Sequence, residues 1–137
     1  MTVRPAETTE LPIVATMMRD LWTEAGDYDF SDETVFVWER PTGELGGFIS
    51  CSVRPWAEGC DSAPVSYIEG WWVAPDLRHV GVGRALVEAV EQWARARDFV
   101  ELGSDVELDN VASLRAHGAL GFEPTMRLQF FRKKLIL

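Results

Sequence analysis

The stretch Y-I-E-G-W-W-V-A-P-D-L-R-H-V-G-V-G-R, running from Tyr67 to Arg84, decides the fold. Its first half is apolar, aromatic and β-branched, which predicts a buried strand. Ala74-Pro75-Asp76 stops that strand, because Pro75 has no backbone N–H to donate and restrains the residue before it. Arg78-x-x-Gly81-x-Gly83 follows, and from Arg84 onward Leu86, Val90 and Trp93 recur on one face of a helix. A strand, a turn with little side-chain bulk and a helix N-terminus together form a seat for a phosphate. Turn N–H groups point outward there, and the helix dipole favours an anion.

Upstream, Thr2 to Ala6 reads as a short strand, and Thr9, with Glu10 and Pro12 behind it, as the N-cap of a first helix. Leu11, Val14, Met18, Leu21 and Trp22 carry that helix to about Trp22, whose ring is either core or a wall of an acceptor site. Ala25 to Glu33 is acidic and turn-rich, with no apolar period. Thr34 to Glu39 and Leu45 to Arg54 are strands of an antiparallel hairpin around Pro41-Thr42-Gly43-Glu44. Pro55 to Pro64 is a loop, in which Trp56 stands among polar residues and hints at a binding wall. Downstream, Asp98 ends the second helix at a position that often takes the left-handed conformation, and Phe99 to Gly103 is a strand. Asn110 to Leu120 forms a short helix closed by Gly121, with Asp109 as its cap, and Leu128 to Lys134 a final strand. The order β-α-β-β-β-α-β-α-β predicts one α/β domain over residues 1–137.

Its 137 residues, 47% apolar and 26% charged, suit a compact domain with a real core. No apolar run approaches a membrane span, and the first residues lack a signal-peptide pattern, so a cytoplasmic protein with no membrane partner is expected. Thirteen basic residues against 22 acidic ones give a net charge of -9, which argues against a nucleic-acid surface. Carboxylates gathered in a site would instead draw a cationic partner. Cys51, Cys60, His79 and His117 lack metal-ligand spacing, so two free thiols and no metal site are expected.

Gly81 and Gly83 alone are a weak signal, and a dinucleotide-binding turn would want a third glycine. The full pattern W-V-A-P-D-L-R-H-V-G-V-G-R resembles the acetyl-CoA-binding motif of the GNAT superfamily of N-acetyltransferases. Asn110-x-x-Ser113-x-x-x-His117-x-x-x-Gly121-Phe122 is similar to the superfamily's N-x-x-A-x-x-x-Y-x-x-x-G-F helix. From Val65 onward, P-V-S-Y-I-E-G-W-W-V-A-P-D-L-R, S-D-V-E-L-D-N-V-A-S and L-G-F-E-P-T-M-R-L-Q-F-F-R-K-K resemble aminoglycoside 6'-N-acetyltransferases of the smaller, dimeric type. The resemblance implies the GNAT fold, a twisted, mixed but mostly antiparallel sheet with helices on both faces, and a homodimer. It implies acetyl-CoA as co-substrate, held by the backbone of Trp71, Trp72 and Val73, by Arg78, His79, Val80, Gly81, Val82 and Gly83, and by Asn110. Glu69 and Asp105 match the family's antibiotic site, Trp22 a family tryptophan, Trp56 a family tyrosine, and His117 the superfamily's tyrosine acid. Two departures stand out. The helix that the family places after its first helix is shortened to the acidic turn Gly26 to Glu33, and Met126 replaces a site glutamate.

These residues suit the implied chemistry. An aminoglycoside carries several ammonium groups, which desolvated carboxylates bind well. The reacting amine must lose a proton, and Glu69 or Asp105 can accept it directly or through water. A backbone N–H on Trp71 to Val73 can stabilise the oxyanion, Trp22 and Trp56 can flank sugar rings, and a His117 imidazolium can protonate the leaving thiolate. No cysteine stands beside a base in the sequence, so direct attack in a ternary complex is expected rather than an acyl-enzyme. The rivals are acetylation of another amine, such as a polyamine or a protein N-terminus, and a non-catalytic acyl-CoA-binding sensor.

Overall fold

The computed structural model describes residues 3–21 and 28–136. Five strands lie side by side in sequence order: β1 (Val3–Pro5), β2 (Thr34–Glu39), β3 (Leu45–Arg54), β4 (Val65–Val73) and β5 (Leu102–Gly103). The first three pairings are antiparallel and the last, β4 with β5, is parallel. This is the mixed, mostly antiparallel sheet expected from the sequence. The β2–β3 hairpin closes where Arg40 N–H meets the Glu44 carbonyl, and Gly43 takes the positive φ of +91° that the turn requires.

Helix α1 (Leu11–Leu21) covers one face of the sheet and α2 (Val82–Ala96) the other. Val14, Met17 and Met18 of α1 pack with Val35, Val37 and Phe48, while Val82, Leu86, Val87 and Val90 of α2 pack with Ile49, Cys51 and Ile68. Each such fully buried side chain contributes roughly 1.5–3 kcal/mol, so the two helices are held by packing more than by propensity. A short third helix, α3 (Val111–Ala119), buries no residue fully, and the chain after it meets the α2 side through Leu120 and Phe122.

Several boundaries differ from expectation. The entry to α1 is a 3-10 turn, Thr8–Glu10, not a cap at Thr9. Glu10, gripped by Arg4 through two 2.8 Å bonds, accepts the Glu7 N–H instead. Helix α2 begins at Val82, two residues before the expected Arg84, and Asp98 takes the left-handed conformation at φ +63°. Asn110, not Asp109, caps α3, its side chain accepting the Ser113 N–H at 3.1 Å. The strand expected over Phe99 to Gly103 shrinks to two residues. The final strand expected over Leu128 to Lys134 does not form: residues 122–136 have no regular secondary structure, and Phe130 and Phe131 are 84% and 90% exposed. A strand needs a partner edge, and β5 ends too soon to offer one.

Candidate active site

Where β3 meets β4 the register slips. Ser50 lies opposite Gly70 and Cys51 opposite Ile68, so Glu69 is an extra residue on β4. A bulge re-aims the side chains around it. Here Ile68, Trp71 and Val73 face α2, while Gly70 and Trp72 face α1, where a Cβ on Gly70 would meet Met18 and Phe48. Glu69 joins Ser52 and Arg54 beyond α1. The same strand loses its other neighbour early. It pairs β5 only through Ser66–Leu102 and Tyr67–Gly103, so from Ile68 to Val73 its outer edge has no strand partner among the described residues. Unpaired strand N–H groups form a natural docking line for a ligand with amide or carbonyl oxygens.

That edge runs directly into the turn. Pro75–Leu77 forms one 3-10 turn, and Arg78 Nε donates back to the Val73 carbonyl at 2.9 Å. His79 has φ +64°, uncommon for a residue with a side chain, and Gly81, at the start of α2, has φ +94°. Two left-handed residues bend the backbone into a concave run leading to the N-terminus of α2, the geometry that cradles a phosphate. Nothing lies within 4 Å of where a Gly81 Cβ would stand, so the cradle is open. Gly83 is small for another reason: its Cβ would lie 3.2 Å from the Trp71 ring. Trp71 in turn meets the His117 ring edge-on at 5.3 Å, which brings the two ends of the expected cofactor site together.

The acidic side of the site is wired more tightly than the sequence suggests. Tyr67 donates its hydroxyl to Asp105 Oδ2 at 2.6 Å, across the start of the β4–β5 splay. Burial first, and then the Asp105 bond, raise the Tyr67 pKa, so it stays a phenol. Glu69 accepts Ser52 Oγ at 2.6 Å and a bidentate pair from Arg54, Nε at 2.9 Å and Nη2 at 2.7 Å. Burial pushes the Glu69 carboxyl up, but Arg54 and Ser52 together outweigh it and hold it below the ordinary carboxylate range. Nearby, Tyr28 donates to Glu33 at 2.6 Å. Burial raises the Glu33 pKa, against the opposing bond from Tyr28.

His117 is already engaged at both ring nitrogens. Nδ1 lies 2.7 Å from the Ser113 carbonyl, which makes it the protonated nitrogen, and Nε2 lies 2.8 Å from Ser104 Oγ. To act as an acid it would have to exchange one of these partners. Trp56 is 64% exposed in the loop after β3, and Trp22 lies outside the described residues. Cys51 is fully buried with its thiol pushed up to about 12 by burial, so it is no nucleophile at neutral pH. Among the described residues no group of three or more His, Cys, Asp or Glu is placed to hold a metal ion.

Arg54, Tyr67 and Glu33 are the polar members of this site that motif reading passes over. A signal for Arg54 existed. Ser50, Ser52 and Arg54 alternate along β3, which puts three polar groups on one face opposite the strand that carries Glu69.

Residues 7–122 match the model of the Acetyltransferase (GNAT) family. The chain belongs to the GNAT acetyltransferase family. It is 40% identical over 146 residues to aminoglycoside N(6')-acetyltransferase type 1 of Klebsiella aerogenes, covering 97% of this chain and 96% of that protein. It is 35% identical to the enzyme of the same name from Stenotrophomonas maltophilia, with 98% and 94% covered. Among solved structures it resembles AAC(6')-Iy in complex with the bisubstrate analogue CoA-S-monomethyl-acetylneamine, with a TM-score of 0.84, 31% identity and 96% and 97% of the two chains covered.

Proposed function

We propose that this chain is an aminoglycoside 6'-N-acetyltransferase, moving the acetyl group of acetyl-CoA to the 6'-amine by direct attack in a ternary complex. The observation that carries the reading is the pair of carboxylates, Glu69 and Asp105, tied through Arg54 and Tyr67 where the bulge meets the open β4 edge. Relatives named for this reaction, and a neighbour bound to a bisubstrate analogue, support it. Acetyl-CoA supplies an acetyl group activated as a thioester. Arg78 to Gly83 hold its pyrophosphate, Trp71 to Val73 hold the pantetheine and oxyanion through backbone N–H groups, and Asn110 borders it from α3.

The two carboxylates divide the remaining work. Glu69 has both oxygens taken by Ser52 and Arg54, so it orients charge and does not collect a proton. Asp105 is exposed and has one oxygen bonded to Tyr67, which leaves the other to accept the amine proton directly or through water. His117 steadies the Trp71 ring, and water protonates the leaving thiolate. Trp56 flanks a sugar ring. The enzyme works in the cytoplasm as a homodimer.

A thiol-release assay with pairs of aminoglycosides that differ only in carrying a 6'-amine or a 6'-hydroxyl tests the reaction. Release is expected with the amine alone, and equal release from both members would move the reaction to another nitrogen. Asp105→Asn should lower kcat by about 100-fold or more with acetyl-CoA affinity retained. An unchanged kcat would remove Asp105 from proton transfer.

A further inference from the structure

Glu69, the carboxylate that the proposed function offers to the acceptor, is already occupied by a cation of this chain. The Arg54 guanidinium binds both its oxygens, and its Cζ lies 3.6 Å from the centre of the Tyr67 ring, whose hydroxyl holds Asp105. One positive charge therefore sits between the two acidic groups that a polycation would use. The seat is built for a charge: a bidentate pair to Glu69 and the Tyr67 aromatic face converge on it. It is also one that can be vacated. The Arg54 side chain is 33% exposed at the last residue of β3, between Val53 at 49% exposure and the open loop bearing Trp56.

We propose that Arg54 is a specificity-determining gate, whose guanidinium keeps the place of one substrate ammonium and yields it only to an acceptor with several cationic groups. Exchanging the guanidinium for an ammonium at Glu69 replaces one charge-assisted pair by another, so a monocation gains little there. A polycation gains more, because its second and third ammonium groups reach Asp105 and the acidic chain around it while the first displaces Arg54. Displacing Arg54 costs every ligand alike, so a useful net affinity remains only for an acceptor whose further ammonium groups add to it. This inference rests on the aminoglycoside reading above for the identity of the polycation, but not for the gate itself.

The test compares wild type with Arg54→Met, which keeps an apolar stem over Tyr67 and removes the charge, and with Arg54→Lys, which retains a charge. Titration calorimetry in the presence of coenzyme A measures binding of a tetra- or penta-cationic aminoglycoside and of a monocationic 6-amino-6-deoxyhexoside. Arg54→Met should bind both the monocation and the polycation about tenfold more tightly than wild type does, which brings the monocation into measurable range, and Arg54→Lys should stay near wild type. Arg54→Gln should reproduce the Met result, which separates charge loss from any disturbance of folding by Met. Weaker binding of both ligands in Arg54→Met and Arg54→Gln would overturn the gate and make Arg54 a residue that positions Glu69. Wild-type enzyme that releases no thiol with any aminoglycoside would refute the proposed function instead, while tighter monocation binding by the variants would still support the gate.

Discussion

Glu33 and Glu69 stand on the same side of the sheet, and their surroundings push them in opposite directions. Glu69 has a guanidinium against it and stays ionised, whereas Glu33 is half-buried without a cation and is held neutral to higher pH than an ordinary carboxyl. A folded-state pKa raised above its unfolded value adds stability at low pH that disappears as pH rises through the folded value. Glu33→Gln keeps an acceptor for Tyr28 and removes that loss. Its melting temperature should therefore match wild type near pH 4 and exceed it by a few degrees near pH 8, as thermal denaturation at the two pH values would show. An advantage for Gln at pH 4 that vanished at pH 8 would reverse the assignment. Glu69 was legible in the sequence because it stands out within an apolar strand, and Asp105 because it follows a strand end. Arg54 was legible only as one of three alternating polar residues of β3; its partnership with Glu69 was not, because it depends on the register of β3 against β4, and a bulge shifts that register by one residue.

At the scale of elements, the site depends on β5 stopping early. Leu102 and Gly103 pair with Ser66 and Tyr67, and the strand then leaves, freeing the β4 edge. Gly103 also sets how closely the two strands approach, since its Cβ would lie 2.6 Å from the Tyr67 ring and 3.1 Å from Cys60 Sγ. A ring buried to 95% cannot simply turn aside. Gly103→Ala should cost about 1–3 kcal/mol in denaturant unfolding and reduce aminoglycoside turnover, because it displaces the hydroxyl that holds Asp105. Tyr67→Phe should reduce turnover with a smaller loss of stability, which separates the hydrogen bond from the packing. The strand–turn–helix around Arg78 to Gly83 was legible apart from the helix start, which comes two residues early, because proline, two glycines and a helical period are local signals. The length of β5 was not, since β-branched and apolar residues at Val100 and Leu102 mark strand propensity and say nothing about where pairing ends.

The molecule as a whole carries a charge of -9, yet four of its 13 basic residues, Arg127, Arg132, Lys133 and Lys134, lie on the segment after α3. That segment sets Arg132, Lys133 and Lys134 between Phe130–Phe131 and Leu135–Ile136, all four apolar residues at least 84% exposed, and it has strand composition without a strand partner among the described residues. A row of unpaired backbone and apolar side chains is a template for another chain, and a second copy offers both a sheet to join and an acidic surface to meet the lysines. The segment is anchored at its root, where Phe122 packs against the α2 core and a Gly59 side chain would collide with Thr125. Replacing Phe130 and Phe131 by serine should therefore leave the domain folded, because neither ring is buried within one chain. Sedimentation velocity at micromolar concentration should show a dimer for wild type and a monomer for the double variant, with similar melting of the separated domain and retained coenzyme A binding. Wild type sedimenting as a monomer would leave the segment without its proposed partner. A double variant that stayed dimeric would place the interface elsewhere on the acidic body.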